Sequence, residues 1–217
     1  IIFGFASFNL WRQERERLLA LQKHLAESQL AQLKAQLQPH FLFNSLNTIS
    51  ALMQVDVARA DRLLTRLADL LRSSLQTGAR HMTSLRDELK LLELYAQIME
   101  ERFAGRVVLI WDIADDALDG AIPAMLLQPV LENAFKHGVE RSRVPVAIRI
   151  EANRREDALH VKIHNSGAML AGTTAMGIGL RNCRERLEVI YGQRANLELA
   201  QDGDGVAARL TIPYTHE

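Results

Sequence analysis

The chain has a single cysteine, Cys183, among its 217 residues, so it has no partner for an internal disulfide and no paired thiols for a zinc site. That usage suits a reducing compartment, and the cytoplasm is the expected location of this portion. An excess of positive charge is also missing: 26 Lys and Arg balance 26 Asp and Glu, which argues against direct nucleic-acid binding through a basic field. No apolar run is long enough to cross a bilayer; the longest at the start, "IIFGFASFNLW", has about eleven residues where a span needs about 20. The run is nevertheless followed by "RQERER", with Trp11 at an interface position and Arg12, Arg15 and Arg17 behind it. This pattern fits residues 1–11 as the inner end of a membrane span that begins before Ile1, with the rest of the chain on the cytoplasmic side. Internal repeats and low-complexity tracts are absent as well.

What is present is an apolar half, 48% of residues, with 24% charged, enough to bury one large core or two small ones. From Arg12 to Met53 leucines recur at spacings of three and four, ending in Leu42, Leu46, Ile49 and Met53, which predicts a long amphipathic helix. "QVDVARAD" turns the chain, with Asp56 as the N-cap of a second helix. That helix turns inward either Leu63, Leu67 and Leu70 or Leu64, Leu67 and Leu71. A lone hairpin leaves an apolar stripe in water, so pairing with a second copy in a four-helix bundle is expected. Near residues 78–83 the composition changes. Ser84 and Asp87 form a capping pattern for a further helix, and five β-branched runs follow: "RVVLIWDI", "VPVAIRIEA", "ALHVKIHN", "ANLELA" and "VAARLTIPY". Helices over "PAMLLQPVLENAFKHGV" and "GLRNCRERLEVIYG" interrupt them without a regular βαβ alternation. The expected fold class is α plus α/β: a helical hairpin, residues 12–80, then residues 81–217 as a mixed sheet with helices on one face.

Two stretches of the second part carry phosphate chemistry. "LENAFKHG" places Asn133, Lys136 and His137 at i, i+3 and i+4 of a helix, beside Glu132. An amide oxygen is a hard ligand suited to Mg²⁺, and a lysine neutralises phosphate. "MGIGLRNCRERL" sets Gly177 and Gly179 before a helix, where backbone can approach an anion and unpaired N–H groups face it. Between them "NSGAMLAGTTAMG" is small-residue and flexible, as a lid would be. Standing alone, the first pattern is usually just a solvated helix face, and the second reads also as an ordinary glycine-containing surface loop.

Taken in order, these stretches resemble the N box and the two glycine boxes of the Bergerat-fold ATPases. The resemblance implies that Asn133 holds Mg²⁺ and that Lys136 and His137 touch the phosphates of ATP. It further implies that Gly167 closes the first glycine box and that Gly177, Gly179 and Leu180 shape the lid hinge and the phosphate-facing helix start. Asn165 stands where most of these proteins carry an aspartate that accepts from the adenine amine. An amide oxygen also accepts, through a weaker uncharged bond.

"LKAQLQPHFLFNSLNTI" completes the pattern. On an ideal helical wheel His40 lies about 150° from the centre of the Leu42, Leu46, Ile49 and Met53 stripe, hence facing out, and Asn44 follows one turn later. Pro39 removes a helical hydrogen bond and favours a bend there. With "LLQPVLENAFKHGV" and "GIGLRNCRERL", the stretch resembles the LytS/YehU-type sensor histidine kinases over nearly the whole chain. The resemblance implies a bacterial, membrane-anchored, homodimeric kinase. His40 would take the γ-phosphoryl group of ATP and pass it to an aspartate of a response regulator, one with a LytTR-type DNA-binding output. Phe41 occupies the place where many such kinases carry a carboxylate base; Asn44 can orient the imidazole, and Glu132 is either a catalytic carboxylate, by analogy with the superfamily's ATP hydrolases, or a partner in a structural salt bridge. Two other readings stay open on sequence: a Bergerat-fold ATPase without phosphohistidine, and a degenerate dimeric scaffold that binds ATP poorly.

Overall fold

The computed structural model describes residues 39–78, 80–167 and 177–216, without the side chains of Pro39 and His40. The expectations placed on residues 1–38, on the bend across Pro39 and on the outward imidazole of His40 lie outside the described residues. So does the lid segment 168–176. Among the described residues no helix is long and apolar enough to cross a membrane. Compactness divides the chain between Asn44 and Ser45.

Helix α1, Pro39–Met53, and helix α2, Val57–Gly78, are joined by a short turn. Asp56 caps α2 as its type favours, its Oδ1 accepting from the Arg59 N–H at 2.9 Å. Of the two leucine sets open on sequence, Ala60, Leu63, Leu67 and Leu70 are buried and Leu64 is exposed. They face α3, Leu85–Arg102, and Arg59 reinforces the contact by donating to Glu101 at 2.5 Å. The hairpin's second helix therefore packs within the same unit as the sheet. Along α1 the stripe expected to be apolar and covered divides: Ile49 is buried with Ser45, but Leu46 and Met53 stay exposed, as do Val57 and Leu64 on α2.

Ser84 caps α3 by accepting from the Asp87 N–H at 3.2 Å. The five β-branched runs form five strands: β2 Val107–Ile113, β4 Val146–Arg155, β5 Ala158–Ser166, β6 Asn196–Asp202 and β7 Gly205–Pro213, in the order β2-β4-β5-β7-β6. Only β2 and β4 run parallel, so the sheet is mixed. Its inner face carries Ile148, Ile150, Val161, Ile163, Ala208, Leu210 and Leu197, all buried. Burying each such leucine or isoleucine contributes about 1.5–3 kcal/mol.

The helix expected to begin at Pro123 begins later. Ala121–Pro123 is instead strand β3, paired antiparallel with β1, Met82–Ser84, and α4 spans only Gln128–Ala134. Between them Ala124–Leu127 forms a strap whose backbone groups are held from several sides. The Glu88 carboxylate of α3 accepts from the N–H groups of Met125 and Leu127, both at 2.8 Å. Ala124 donates to the His81 carbonyl at 3.2 Å. Arg186, on helix α5 Ile178–Tyr191, donates to the carbonyls of Ala124 at 2.6 Å and His81 at 3.0 Å. Held so, Met125 sits at φ 59°, a left-handed conformation that costs a non-glycine residue about 1–2 kcal/mol.

Glu88 is almost wholly enclosed, and burial pushes its carboxyl up to about 7 despite the two N–H donors and the Arg186 charge, which favour the ionised form. The folded chain therefore holds the Glu88 proton to higher pH than the unfolded chain does. Its contribution is fully present below about 4.5 and is lost as pH rises through about 7. Urea unfolding is expected to show stability falling over that window, with a weaker slope in Glu88→Ala. At neutral pH Glu88→Ala, which orphans two buried N–H groups, should lose about 2–4 kcal/mol.

Candidate active site

Helix α4 does not end at Ala134 but widens into a π turn, Phe135–Val139, closed by the Glu140 N–H donating to the Phe135 carbonyl at 3.0 Å. Single π turns inside helices recur at functional sites because the extra residue shifts side-chain phase and loosens the backbone ladder. Here Phe135 fixes the turn. Its ring is fully buried, edge-on to Tyr95 at 6.0 Å and stacked on Phe103 at 6.3 Å. Across the junction Asn133 and His137 are half-buried and Lys136 is exposed. Burial, and the cations Arg141 and Lys136, lower the affinity of His137 for a proton, against the opposing pull of Glu140. The neutral form of the ring is thereby favoured.

Asn165 interrupts the apolar inner face of the sheet, paired in register with Ile148 on β4 and Val206 on β7. Assigned from its hydrogen-bond partners, its amide nitrogen donates to the Val206 carbonyl at 2.9 Å and its oxygen accepts from the Gly138 N–H at 3.3 Å. A Cβ on Gly138 would collide with that amide, which is why glycine follows His137. This contact joins the end of β5 to the π turn. One lone pair of the Asn165 oxygen and one amide hydrogen remain for a further partner.

Helix α5 begins at Ile178 with Gly177 as its N-cap. Among the described residues no side chain caps the start and no acid lies in the first turn, which leaves its partial positive charge uncompensated there. Among the described residues a Cβ on Gly177 would meet nothing within 4 Å and one on Gly179 only Pro129, at 3.5 Å, so packing demands neither glycine. Leu180 is buried and anchors the first turn. Since Pro129 stands one turn before Asn133, the glycine-led helix and the N-box helix meet beside the same site.

Glu132 is half-buried, with the Gln128 amide donating to it at 3.0 Å, and burial pushes its carboxyl up to about 7. Gln128 keeps its own oxygen buried without a partner among the described residues. Among the described residues no three His, Cys, Asp or Glu gather into a metal cage. The Asn133 amide offers a hard oxygen of the type that Mg²⁺ takes beside its own waters. Cys183, buried with its thiol pushed up to about 12 and directed at the Leu126 carbonyl, is a packed residue. Sequence reasoning missed Glu88, Gln128 and Arg186. For Glu88 a signal existed: a carboxylate in the buried stripe Leu85, Leu89, Leu92.

Residues 28–107 match the family model described as histidine kinase. The sensor protein LytS of Staphylococcus saprophyticus is 30% identical over 203 residues, covering 88% of this chain and 34% of LytS. The sensor histidine kinase BtsS of Escherichia coli is 32% identical over 195 residues, covering 89% and 35%. The chain thus spans about a third of the length of these curated relatives. In fold it resembles the catalytic domain of histidine kinase ThkA, with a TM-score of 0.50 at 16% identity over 62% of this chain and 95% of that one. A blue-light activated histidine kinase of Erythrobacter litoralis gives the same TM-score and identity over 81% and 58%. Relatedness runs along most of the sequence, and the chain belongs to the LytS-type sensor histidine kinase family.

Proposed function

We propose that the chain is the catalytic portion of a two-component sensor kinase, transferring the γ-phosphoryl group of ATP to His40 and from there to an aspartate of a response regulator. The observation that carries this reading is the meeting of three elements: the Asn133 to Gly138 turn, Asn165 against Gly138, and the uncapped α5 start against Pro129. In this reading ATP lies between them, its adenine amine at the Asn165 oxygen and its phosphates at Lys136, His137 and the N–H groups following Gly177. Gly167 and Gly177 bound the lid. Asn133 would hold Mg²⁺, which supplies neutralisation of phosphate charge.

The histidine nitrogen attacks the γ-phosphorus as the bond to the β-phosphate oxygen breaks, and Glu132 takes the ring proton. Asn44 orients the imidazole. Positioning and charge neutralisation supply most of the catalysis in such a transfer. Residues 12–80 form the dimerisation and phosphotransfer part and residues 81–217 the ATP-binding part. The exposed Leu46, Met53, Val57 and Leu64 support pairing with a second copy, since water otherwise covers them. A preceding membrane span, entering at residues 1–11, anchors the dimer with this portion in the cytoplasm, and the regulator carries a LytTR-type output.

Incubation with γ-labelled ATP is expected to give acid-labile, base-stable label that is lost in His40→Gln; label that persists in that variant rules the reading out. Glu132→Gln should keep nucleotide affinity while lowering the rate of label formation about 100-fold, the loss of a general base. Light scattering at tens of micromolar should report a dimer, shifted to monomer by Leu46→Glu with Leu64→Glu.

A further inference from the structure

The strap Ala124–Leu127 is gripped on every side by groups that the chemistry above does not use. Arg186 lies eight residues after Ile178, about 12 Å down the same helix whose start faces the candidate phosphate site. Its two amino groups end on two carbonyls, one on the strap at Ala124 and one at His81, in the segment between α2 and α3. The same His81 carbonyl accepts from Ala124, so Arg186 closes a three-way joint. Glu88 and Cys183 hold Met125, Leu126 and Leu127, and Leu127 opens the helix that carries Asn133.

A helix moves as a rigid rod over two turns, so a ligand that draws the start of α5 toward itself also draws Arg186 and both carbonyls it grips. With its donors held by the Glu88 carboxylate and the His81 carbonyl, the strap has little freedom to absorb that movement. Arg186 suits the part better than a lysine would, because a planar fork reaches two carbonyls at once.

We infer that Arg186 is a positioning residue that couples occupation of the nucleotide site to the segment 80–84, through its paired bonds to Ala124 and His81. This rests on the reading of that site as the ATP site. Movement at the phosphate end of α5 thereby reaches the junction between the hairpin's second helix and α3. Phosphotransfer then depends on Arg186 although it touches neither substrate.

Amide hydrogen exchange of the full chain, with and without a non-hydrolysable magnesium-ATP analogue, tests this beside calorimetric affinity and phosphohistidine formation. In the unaltered chain the analogue is expected to slow exchange at residues 80–84. In Arg186→Met affinity should stay within about threefold, the slowing should vanish and phosphohistidine formation should fall at least about tenfold, the scale of a misplaced reacting group. Arg186→Gln, still able to donate to one carbonyl, should keep part of the response. It makes the comparison if the Met variant does not fold, and an undiminished response in it overturns the inference. So does bound analogue with no response at 80–84 in the unaltered chain, or an equal response in Arg186→Met. If the unaltered chain binds no analogue, the ATP reading fails and takes this inference with it.

Discussion

Two N–H groups of an irregular strap end on one buried carboxylate, and much of the second half of the chain is arranged around that fact. Without Glu88 the backbone at Met125 and Leu127 has no partner in an apolar interior, and Met125 has no reason to stay left-handed. With it, the strap becomes a fixed platform from which α4 departs, and Asn133 inherits its place from that departure. The charge is expensive to bury, as its displaced proton affinity records. Two N–H donors and the field of Arg186 offset part of that desolvation.

From the platform the candidate site is assembled by close approach. Gly138 lets the π turn lie against Asn165, a buried polar residue on the inner sheet face between Ile148 and Val206. The α5 start then leans on Pro129. Each of these contacts is between elements far apart in sequence. The π turn, pinned by Phe135 among Tyr95 and Phe103, redirects the residues after Asn133.

The hairpin presents a different balance. Its second helix turns Leu63, Leu67 and Leu70 to α3, while Phe43, Leu46, Met53, Val55, Val57, Leu64 and Leu75 of the hairpin stay exposed. In the proposed dimer a second copy would draw on that exposed remainder. This division explains why both leucine sets of α2 looked usable: Leu63, Leu67 and Leu70 face inward, and Leu64 lies on the other side.

Sequence alone determined the local elements and the motifs. The five strands follow from β-branched runs bounded by turn residues, and the caps at Asp56 and Ser84 follow from side chains that bond within three residues. Asn133 and Gly177 stood out by their spacing to neighbours, and Asn165 by the resemblance that those motifs carried. Tertiary structure decided what depends on partners distant along the chain. Ala121–Pro123 became a strand because β1 was there to pair with it, the π turn formed where Phe135 found its aromatic neighbours, and Glu88 and Arg186 acquired roles from backbone groups dozens of residues away. Periodicity registers which residues share a face, but an unpaired N–H or carbonyl leaves no mark on the sequence until folding brings a partner to it.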